Sequence, residues 1–266
     1  MLKLGVIDVL NVLPVYYAIL TGKIKIECDL VHGKVTELNQ KLNSGEIDIS
    51  VISSFEYALN QDKYLVFPNL SVSANGRVKS IYLFLDLPWD EVRGKTIYLT
   101  AFSLTSVHLI RFLMRDLDIH FTHDSSAPRS GELLIADAAI SRFYEKKWPY
   151  VYDLAELWKK ETGLPFVFAL WAVTKESYQN APKEVRQVCR KLLESRDLAA
   201  GKFQEMAARY NKGIFPSTEA CTDYLQNLEY DLTPDFIKGF YLFQEKMVEL
   251  GNLEEVARLN FLQIDD

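Results

Sequence analysis

Small polar side chains stand where several predicted strands meet a helix. They follow the apolar runs "VIDVL", "IDISVI", "TIYL" and "LLIA", and they are Asn11, Ser53, Ser54, Thr100, Ser103, Thr105, Ser106 and Asp137. In open α/β sheets the carboxyl ends of the strands line the ligand crevice, and helix N-termini there offer free N–H groups. Such a set suits a small anion, above all a carboxylate. The alternative interpretation is that each hydroxyl only caps its own helix, and both interpretations can hold together.

Asn11 lies between the apolar pairs Val9-Leu10 and Val12-Leu13, shortly before the Pro14 that opens a predicted helix over "PVYYAIL". Asn is a favoured residue in turns and at helix N-caps. The local pattern by itself therefore favours a structural role, in which Asn11 only starts the helix.

Composition and motifs argue against several functional classes. The chain has 266 residues, a formal net charge of -6 and scattered Lys and Arg residues, which disfavours binding to nucleic-acid phosphates. No glycine-rich nucleotide motif, HExxH sequence or GxSxG sequence is present. The isolated cysteines Cys28, Cys189 and Cys221 predict neither a disulfide framework nor a CxxC metal site. His120 and His123 lie in a polar stretch that favours a solvated loop over a metal site.

The sequence also sets expectations about location and partners. No stretch resembles a secretory signal with its cleavage site, and no apolar run approaches the ~20 residues of a membrane span. Together with the isolated cysteines, this predicts a cytoplasmic protein. We expect a small-molecule substrate, no nucleic acid, no membrane, no metal or other cofactor, and a monomer or homodimer.

Strands and helices alternate through the first third of the sequence. "KLGVIDVL", "KIKIECDLV" and "IDISVIS" are predicted strands, and "PVYYAIL", "VTELNQKLNSG" and "FEYALNQ" are predicted helices. This order predicts a parallel sheet with helices on both faces. Ser53 stands three residues before Glu56, which is the spacing of a capping box. "LSVSANGRVKSIYLFLDLP" predicts two strands joined in a hairpin at Asn75-Gly76.

A second run of the same kind predicts a second lobe. "GKTIYLT", "SLTSVHLIRFLMRDL" and "GELLIADAAI" alternate as before, "VYDLAELWKKETG" is a predicted helix, and "PFVFALWAV" is an apolar strand before a helical tail. We expect a two-lobed α/β fold in which each lobe is a mostly parallel sheet flanked by helices, with a ligand cleft between the lobes. Lobe 1 would comprise residues 1–90 and 172–266, and lobe 2 residues 91–171. A single doubly wound sheet is the alternative.

Several segments, taken in order, resemble one enzyme family. They are "GVIDVLNVLPVYY", "LNSGEIDISVISSFEYA", "LSVSANGRVKSIYLF", "LTAFSLTSVHLIRFL", "IADAAI" and "DLAELWKKETGLPFVFALWAV". Over nearly its whole length the chain is similar to chorismate dehydratase, the first committed enzyme of the futalosine route to menaquinone. "GEIDISVIS" is common among related binding folds, whereas "LN-x-x-P", "T-S-V" and "W-K-x-x-T-G-L-P-F-V-F-A-x-W-A" are more specific. The resemblance implies a periplasmic-binding-protein type II fold used inside the cell as an enzyme.

The resemblance implies a lyase that dehydrates chorismate to 3-[(1-carboxyvinyl)oxy]benzoate, removing the ring hydroxyl at C4 and the proton at C3. Aromatisation drives this reaction, so orientation matters more than a strong base. The enolpyruvyl carboxylate of the substrate can fold toward the C3 proton and act as the base. A neutral amide suits this geometry, because it can hydrogen-bond the leaving hydroxyl or orient that carboxylate.

The same resemblance implies roles for individual residues. Asn11 and Ser80 are expected to be catalytic. Thr105 and Ser106 would bind a carboxylate from the second lobe, and Ser53 and Ser54 would do so from the first. Asp137 is expected to hold the lobe interface or a hydroxyl, because a charged Asp beside a dianion is unfavourable.

One departure and two rival functions accompany this hypothesis. Val9 stands where the family usually carries an aromatic residue before "LN", which affects the pocket wall but leaves Asn11 in place. The sister enzyme dihydroxynaphthoate synthase shares the fold, but its Cys-Pro-Asn opening and cleft histidine have no match here. A non-catalytic protein that binds or senses small carboxylates is the other rival, since this scaffold hosts both activities.

Overall fold

Two five-stranded sheets organise the chain in the computed structural model, which describes residues 1–264. The strands are β1 (Lys3–Ile7), β2 (Asp29–Gly33), β3 (Ile49–Ser53), β4 (Tyr64–Ala74), β5 (Ile81–Leu85), β6 (Thr96–Leu99), β7 (His120–Thr122), β8 (Gly131–Ile135), β9 (Tyr150–Asp153) and β10 (Phe166–Thr174). The first sheet has the order β2-β1-β3-β10-β4 and the second the order β7-β6-β8-β5-β9.

Helices flank both sheets. They are α1 (Leu13–Leu20), α2 (Val35–Asn43), α3 (Ser54–Leu59), α4 (Leu104–Leu113), α5 (Ala136–Glu145), α6 (Leu154–Thr162), α7 (Lys175–Asn180), α8 (Pro182–Ala199), α9 (Phe203–Tyr210), α10 (Thr218–Asn227) and α11 (Pro234–Glu249). A short 3-10 helix, Leu10–Val12, joins β1 to α1. No helix in the described part of the chain is long and apolar enough to cross a membrane.

Each sheet is mostly parallel, with one strand that runs antiparallel to the other four. In the first sheet β1 runs parallel to β2 and β3, whereas β10 is antiparallel to β3 and β4. In the second sheet β6 runs parallel to β7 and β8, whereas β5 is antiparallel to β8 and β9. The antiparallel strands β5 and β10 are those that the chain enters on arriving from the other sheet. The predicted two-lobed α/β architecture is confirmed.

The chain changes sheets twice. It leaves the first sheet between Ala74 and Ile81 and returns between Thr162 and Phe166. The lobe boundaries expected after residues 90 and 171 would place β5 in the first lobe and would divide β10 between the lobes. In the structure, β5 pairs with β8 and β9 in the second sheet. All of β10 lies in the first sheet. Sequence pattern locates a strand but not its pairing partner, so it cannot fix such a crossing.

Three local predictions were wrong. The Asn75-Gly76 turn forms no hairpin, because β4 and β5 belong to different sheets; Gly76, with a φ of 112°, begins the crossing instead. The stretch before Asp29 is irregular, and "YVYD" forms β9 before the helix. The predicted helical tail begins with two separate helices, α8 and α9, and Gly201 lies between them with a φ of 77°.

Helix α11 packs directly against the chain that returns to the first sheet. A Cβ atom placed on Gly239 would lie 2.1 Å from the carbonyl oxygen of Pro165. The bare glycine therefore lets α11 approach the backbone just before β10, beside the buried side chains of Phe166 and Phe243.

Gly239→Ala is expected to destabilise the protein. Alanine favours an isolated helix by about 1 kcal/mol, but overpacking against a backbone carbonyl costs about 1–3 kcal/mol or more. Denaturant unfolding should therefore show a lower free energy of unfolding. The exposed neighbour Lys238, replaced by Ala, serves as the control and should change stability by only about 0.5 kcal/mol. A stabilised Gly239→Ala protein would contradict the tight contact.

Candidate functional site

A cavity of about 330 Å³ lies between the two sheets, and we refer to it as the interlobe cavity. The first sheet contributes the connection from β1 to α1, the helix α2, the end of β3 with the start of α3, and the middle of β10. The second sheet contributes the start of β5, the loop that opens α4, and the junction of β8 with α5. Strand ends and helix N-termini from both lobes thus meet at one space.

Asn11 lies on the wall of the interlobe cavity, in the 3-10 helix Leu10–Val12. Its side chain caps no helix, because the residue before α1 is Val12 and no side-chain cap is formed there. The Oδ1 atom of Asn11 is buried and has no hydrogen-bond partner within the described residues. The backbone carbonyl is held by the hydroxyl of Tyr230, at 2.9 Å. An unpaired buried amide oxygen costs about 1–3 kcal/mol, so this oxygen does not stabilise the fold.

Ser80 reaches the same cavity from the segment that crosses between the sheets. The buried carboxylate of Asp153 fixes this segment by accepting hydrogen bonds from the backbone N–H groups of Val78, at 3.1 Å, and Lys79, at 2.7 Å. Asp153 also caps α6. Burial raises the pKa of Asp153, and these backbone hydrogen bonds oppose the rise.

The second lobe and the helical tail hold Ser80 in place. The N–H of Ala136 donates to the Ser80 carbonyl at 2.8 Å. Ala136 has a φ of 49°, a left-handed conformation that costs a non-glycine residue about 1–3 kcal/mol, at the point where β8 turns into α5. The Ser80 hydroxyl donates to the Val78 carbonyl at 3.5 Å, and the buried phenol of Tyr224, on α10, lies close to the Ser80 side chain. Tyr224 and Tyr230 thus position Ser80 and Asn11 from the tail, and sequence pattern did not single out either tyrosine.

Ser53 and Ser54 have different environments. Ser53 lines the interlobe cavity, and its Oγ accepts the N–H of Glu56 at 3.2 Å, as the capping-box spacing predicts. Ser54 is fully buried away from the cavity lining, and its hydroxyl donates to the Val167 carbonyl at 2.6 Å. Its hydrogen bond therefore ties α3 to β10.

Thr105 and Ser106 also have different environments, because only Ser106 lines the interlobe cavity. Ser106 lines the cavity at the N-terminus of α4, where the Oγ of Ser103 accepts the Ser106 N–H at 3.1 Å. Thr105 does not line the cavity; its Oγ1 accepts the buried N–H of Phe55 at 3.0 Å. Since Phe55 belongs to α3, this bond joins the two lobes. The ring of His108, on α4, stacks on Phe55 with centroids 3.7 Å apart.

Asp137 lies outside the interlobe cavity. It lines a smaller cavity of about 120 Å³ together with Asp8, Tyr210 and Lys212, on the far side of the segment that follows β1. Burial raises the pKa of Asp137, and Lys212 opposes the rise. Ile7 and Val9 border both cavities.

Helix α2 brings a polar face that sequence reasoning missed. Thr36, Asn39 and Gln40 line the interlobe cavity, whereas Leu38 and Leu42 on another face are buried in the core. The Oδ1 of Asn39 is buried without a hydrogen-bond partner within the described residues, like that of Asn11. The spacing i, i+3, i+4 of these polar residues was readable in the sequence, but a solvated helix face has the same pattern.

The fold and the cavity define the class of protein. The chain has the two-lobed periplasmic-binding-protein fold, with Asn11, Ser53, Ser80 and Ser106 around one interlobe cavity. A crystal structure of an Archaeoglobus fulgidus protein matches 94% of this chain and 97% of its own, with a TM-score of 0.71 and 18% identity. The periplasmic aliphatic sulphonate binding protein of Escherichia coli matches 98% of this chain and 97% of its own, with a TM-score of 0.69 and 11% identity.

Sequence comparison identifies the family. Residues 2–249 match the family described as menaquinone biosynthesis, and the chain belongs to that family. A relative, the chorismate dehydratase of Thermus thermophilus, is 29% identical over 269 residues, covering 92% of this chain and 94% of its own.

Thr105→Val is expected to destabilise the contact between the lobes. Valine has nearly the same shape but leaves the buried Phe55 N–H without an acceptor, which costs about 1–3 kcal/mol. Denaturant unfolding should show this loss. Thr105→Ser keeps the hydroxyl and should retain most of the stability. Equal losses in both variants would show that the methyl group, not the hydrogen bond, matters.

Proposed function

We propose that this protein dehydrates chorismate to 3-[(1-carboxyvinyl)oxy]benzoate in the interlobe cavity, by substrate-assisted elimination. The observation that carries the proposal is that Asn11 and Ser80 line the same cavity from opposite lobes, with the Asn11 amide oxygen unpaired within the described residues. The similarity to the Thermus thermophilus enzyme supports the same substrate.

The chemistry of the cavity suits a ring that carries its own base. The enolpyruvyl carboxylate of chorismate can reach the C3 proton, which lies on the same ring face as the C4 hydroxyl. The C3–H electrons then form the aromatic double bond as the C4–O bond breaks. The protein has to hold the arm and the hydroxyl in this arrangement, and a fixed near-attack geometry lowers the barrier by several kcal/mol.

Each cavity residue has a place in this proposal. The Asn11 amide orients the arm carboxylate or hydrogen-bonds the leaving hydroxyl, and the Ser80 hydroxyl supports it from the opposite lobe. Ser106 and the free N–H groups at the start of α4 receive a ring or arm carboxylate, since a helix N-terminus favours an anion. Ser53 does the same from the first lobe, while Ser54 and Thr105 serve by holding α3 in position.

The direct test mixes the purified protein with chorismate and follows the products by chromatography and mass. We expect the enolpyruvyl benzoate to form. Unchanged chorismate that nevertheless binds would instead support a carboxylate-binding protein, and conversion of a cyclic futalosine would support the sister synthase.

Asn11→Ala is expected to lower kcat by roughly 10²-fold or more, the typical cost of removing one hydrogen-bonding group from a transition state. The melting temperature should not fall, because the Oδ1 of Asn11 makes no hydrogen bond within the described residues. Exposed Asn180, replaced by Ala, is the matched control and should keep full activity. Normal turnover by Asn11→Ala would remove Asn11 from the mechanism.

A further inference from the structure

Glu56 is the one ionisable side chain among the described residues that line the interlobe cavity. The rest of the lining is apolar or carries neutral amides and hydroxyls. A site for a doubly negative substrate that contains a carboxylate and no cation needs an explanation, because like charges at close range in a partly buried space repel strongly.

Only one oxygen of the Glu56 carboxylate takes part in a hydrogen bond within the described residues. Glu56 donates its N–H to Ser53, but the return hydrogen bond of a capping box, from the Ser53 N–H to the Glu56 carboxylate, is not formed. One carboxylate oxygen, Oε1, accepts from the Nδ2 of Asn60 at 3.0 Å. The side chain is therefore held at one oxygen, while the group as a whole borders the cavity.

The groups that face Glu56 are few. Lys63, in the connection after α3, and Tyr64, at the start of β4, lie close enough to interact with the charge of the Glu56 carboxylate. Lys63 is itself bound to the Oδ1 of Asn43. Burial raises the pKa of Glu56 above its ordinary value, and Lys63 and the Asn60 hydrogen bond oppose the rise without cancelling it. A dianion placed in the cavity would raise this pKa further.

We propose that Glu56 takes up a proton when the dianionic substrate binds and, as the neutral acid, donates it to the departing ring hydroxyl. This inference rests on the proposed function, to which it adds a catalytic acid. It also explains how a cavity without a cation tolerates a dianion, because the site then presents only neutral hydrogen-bonding groups.

The proton balance closes within this scheme. The C3–H bond breaks and its proton goes to the arm carboxylate of the substrate. The C4–O bond breaks, and the departing oxygen takes the Glu56 proton and leaves as water. The arm then releases its proton to solvent, the dianionic product dissociates, and Glu56 regains a proton from solvent when the next substrate binds.

Calorimetry with the product as ligand tests the proton uptake without turnover. Titration of the enolpyruvyl benzoate in buffers of different ionisation enthalpy should reveal uptake of up to about one proton by the wild-type protein, in the pH range where free Glu56 is ionised. Glu56→Gln, which is neutral at every pH, should bind the product with equal or higher affinity and take up no proton. Uptake that persists in Glu56→Gln, or no uptake by the wild type, would overturn the proposal.

Kinetic measurements then test whether Glu56 acts as the catalytic acid. Chorismate turnover by the wild type is recorded first, since its absence would refute the proposed function and not the role of Glu56. If the wild type is active, Glu56→Gln should lose about 10²–10⁴-fold in kcat with KM unchanged or lower. Wild-type kcat should decline as pH rises through the pKa of bound Glu56, and the residual rate of Glu56→Gln should lack this decline. Equal kcat in both proteins would refute the acid role.

The melting temperature of Glu56→Gln shows whether this variant still folds. Because the pKa of Glu56 is higher in the folded protein than its ordinary value of 4.5, ionisation disfavours the fold at neutral pH. Glu56→Gln should therefore melt at the same or a higher temperature than the wild type at pH 7, with the advantage vanishing below the ordinary pKa. Exposed Glu46, replaced by Gln, is the matched control and should leave kcat, proton uptake and melting temperature unchanged.

Discussion

The hydrogen bond from the Phe55 N–H to Thr105 Oγ1 is the constraint on which the site depends, because it joins a helix of the first lobe to a helix of the second. The stack of His108 on Phe55 and the hydrogen bond from Ser54 to β10 strengthen the same contact. The end of β3 supplies Ser53 to the interlobe cavity, α3 supplies Glu56, and α4 supplies Ser106. Two walls of the cavity are therefore fixed relative to each other by groups that do not line it.

The opposite wall depends on the crossing between the sheets. Asp153 binds two backbone N–H groups of the crossing segment, and Ala136 binds the Ser80 carbonyl at the cost of a left-handed backbone. The helical tail completes the support through Tyr224 and Tyr230. A tail that looks like simple packing in the sequence thus contributes the groups that hold the two candidate catalytic residues.

Apart from Glu56, the described residues that line the interlobe cavity are uncharged. Amides and hydroxyls can bind a carboxylate or a hydroxyl without the strong desolvation cost of a fixed cation. Unpaired buried oxygens on Asn11 and Asn39 are a cost to the folded protein that a ligand can repay.

Several elements were predictable from the sequence for local reasons. The alternation of β-branched strands with amphipathic helices gave the α/β class, and the spacing of Ser53 and Glu56 gave the start of α3. The order of the segments gave the resemblance to a family. The role of Asn11 could not be decided from the sequence, because an Asn that only forms a turn and an Asn that binds a ligand have the same local sequence pattern.

What the sequence determined by itself was therefore the class of fold, the location of most strands and helices, and a set of polar residues at their junctions. Only the tertiary structure decided which of those residues share a cavity: Ser53, Ser80 and Ser106 do, whereas the hydroxyls of Ser54 and Thr105 are used by the fold and Asp137 lies in another cavity. It also decided that β4 and β5 separate rather than pair. The physical reason is that propensity and capping act over a few residues, whereas strand partners and cavity walls are set by contacts between segments far apart in the chain.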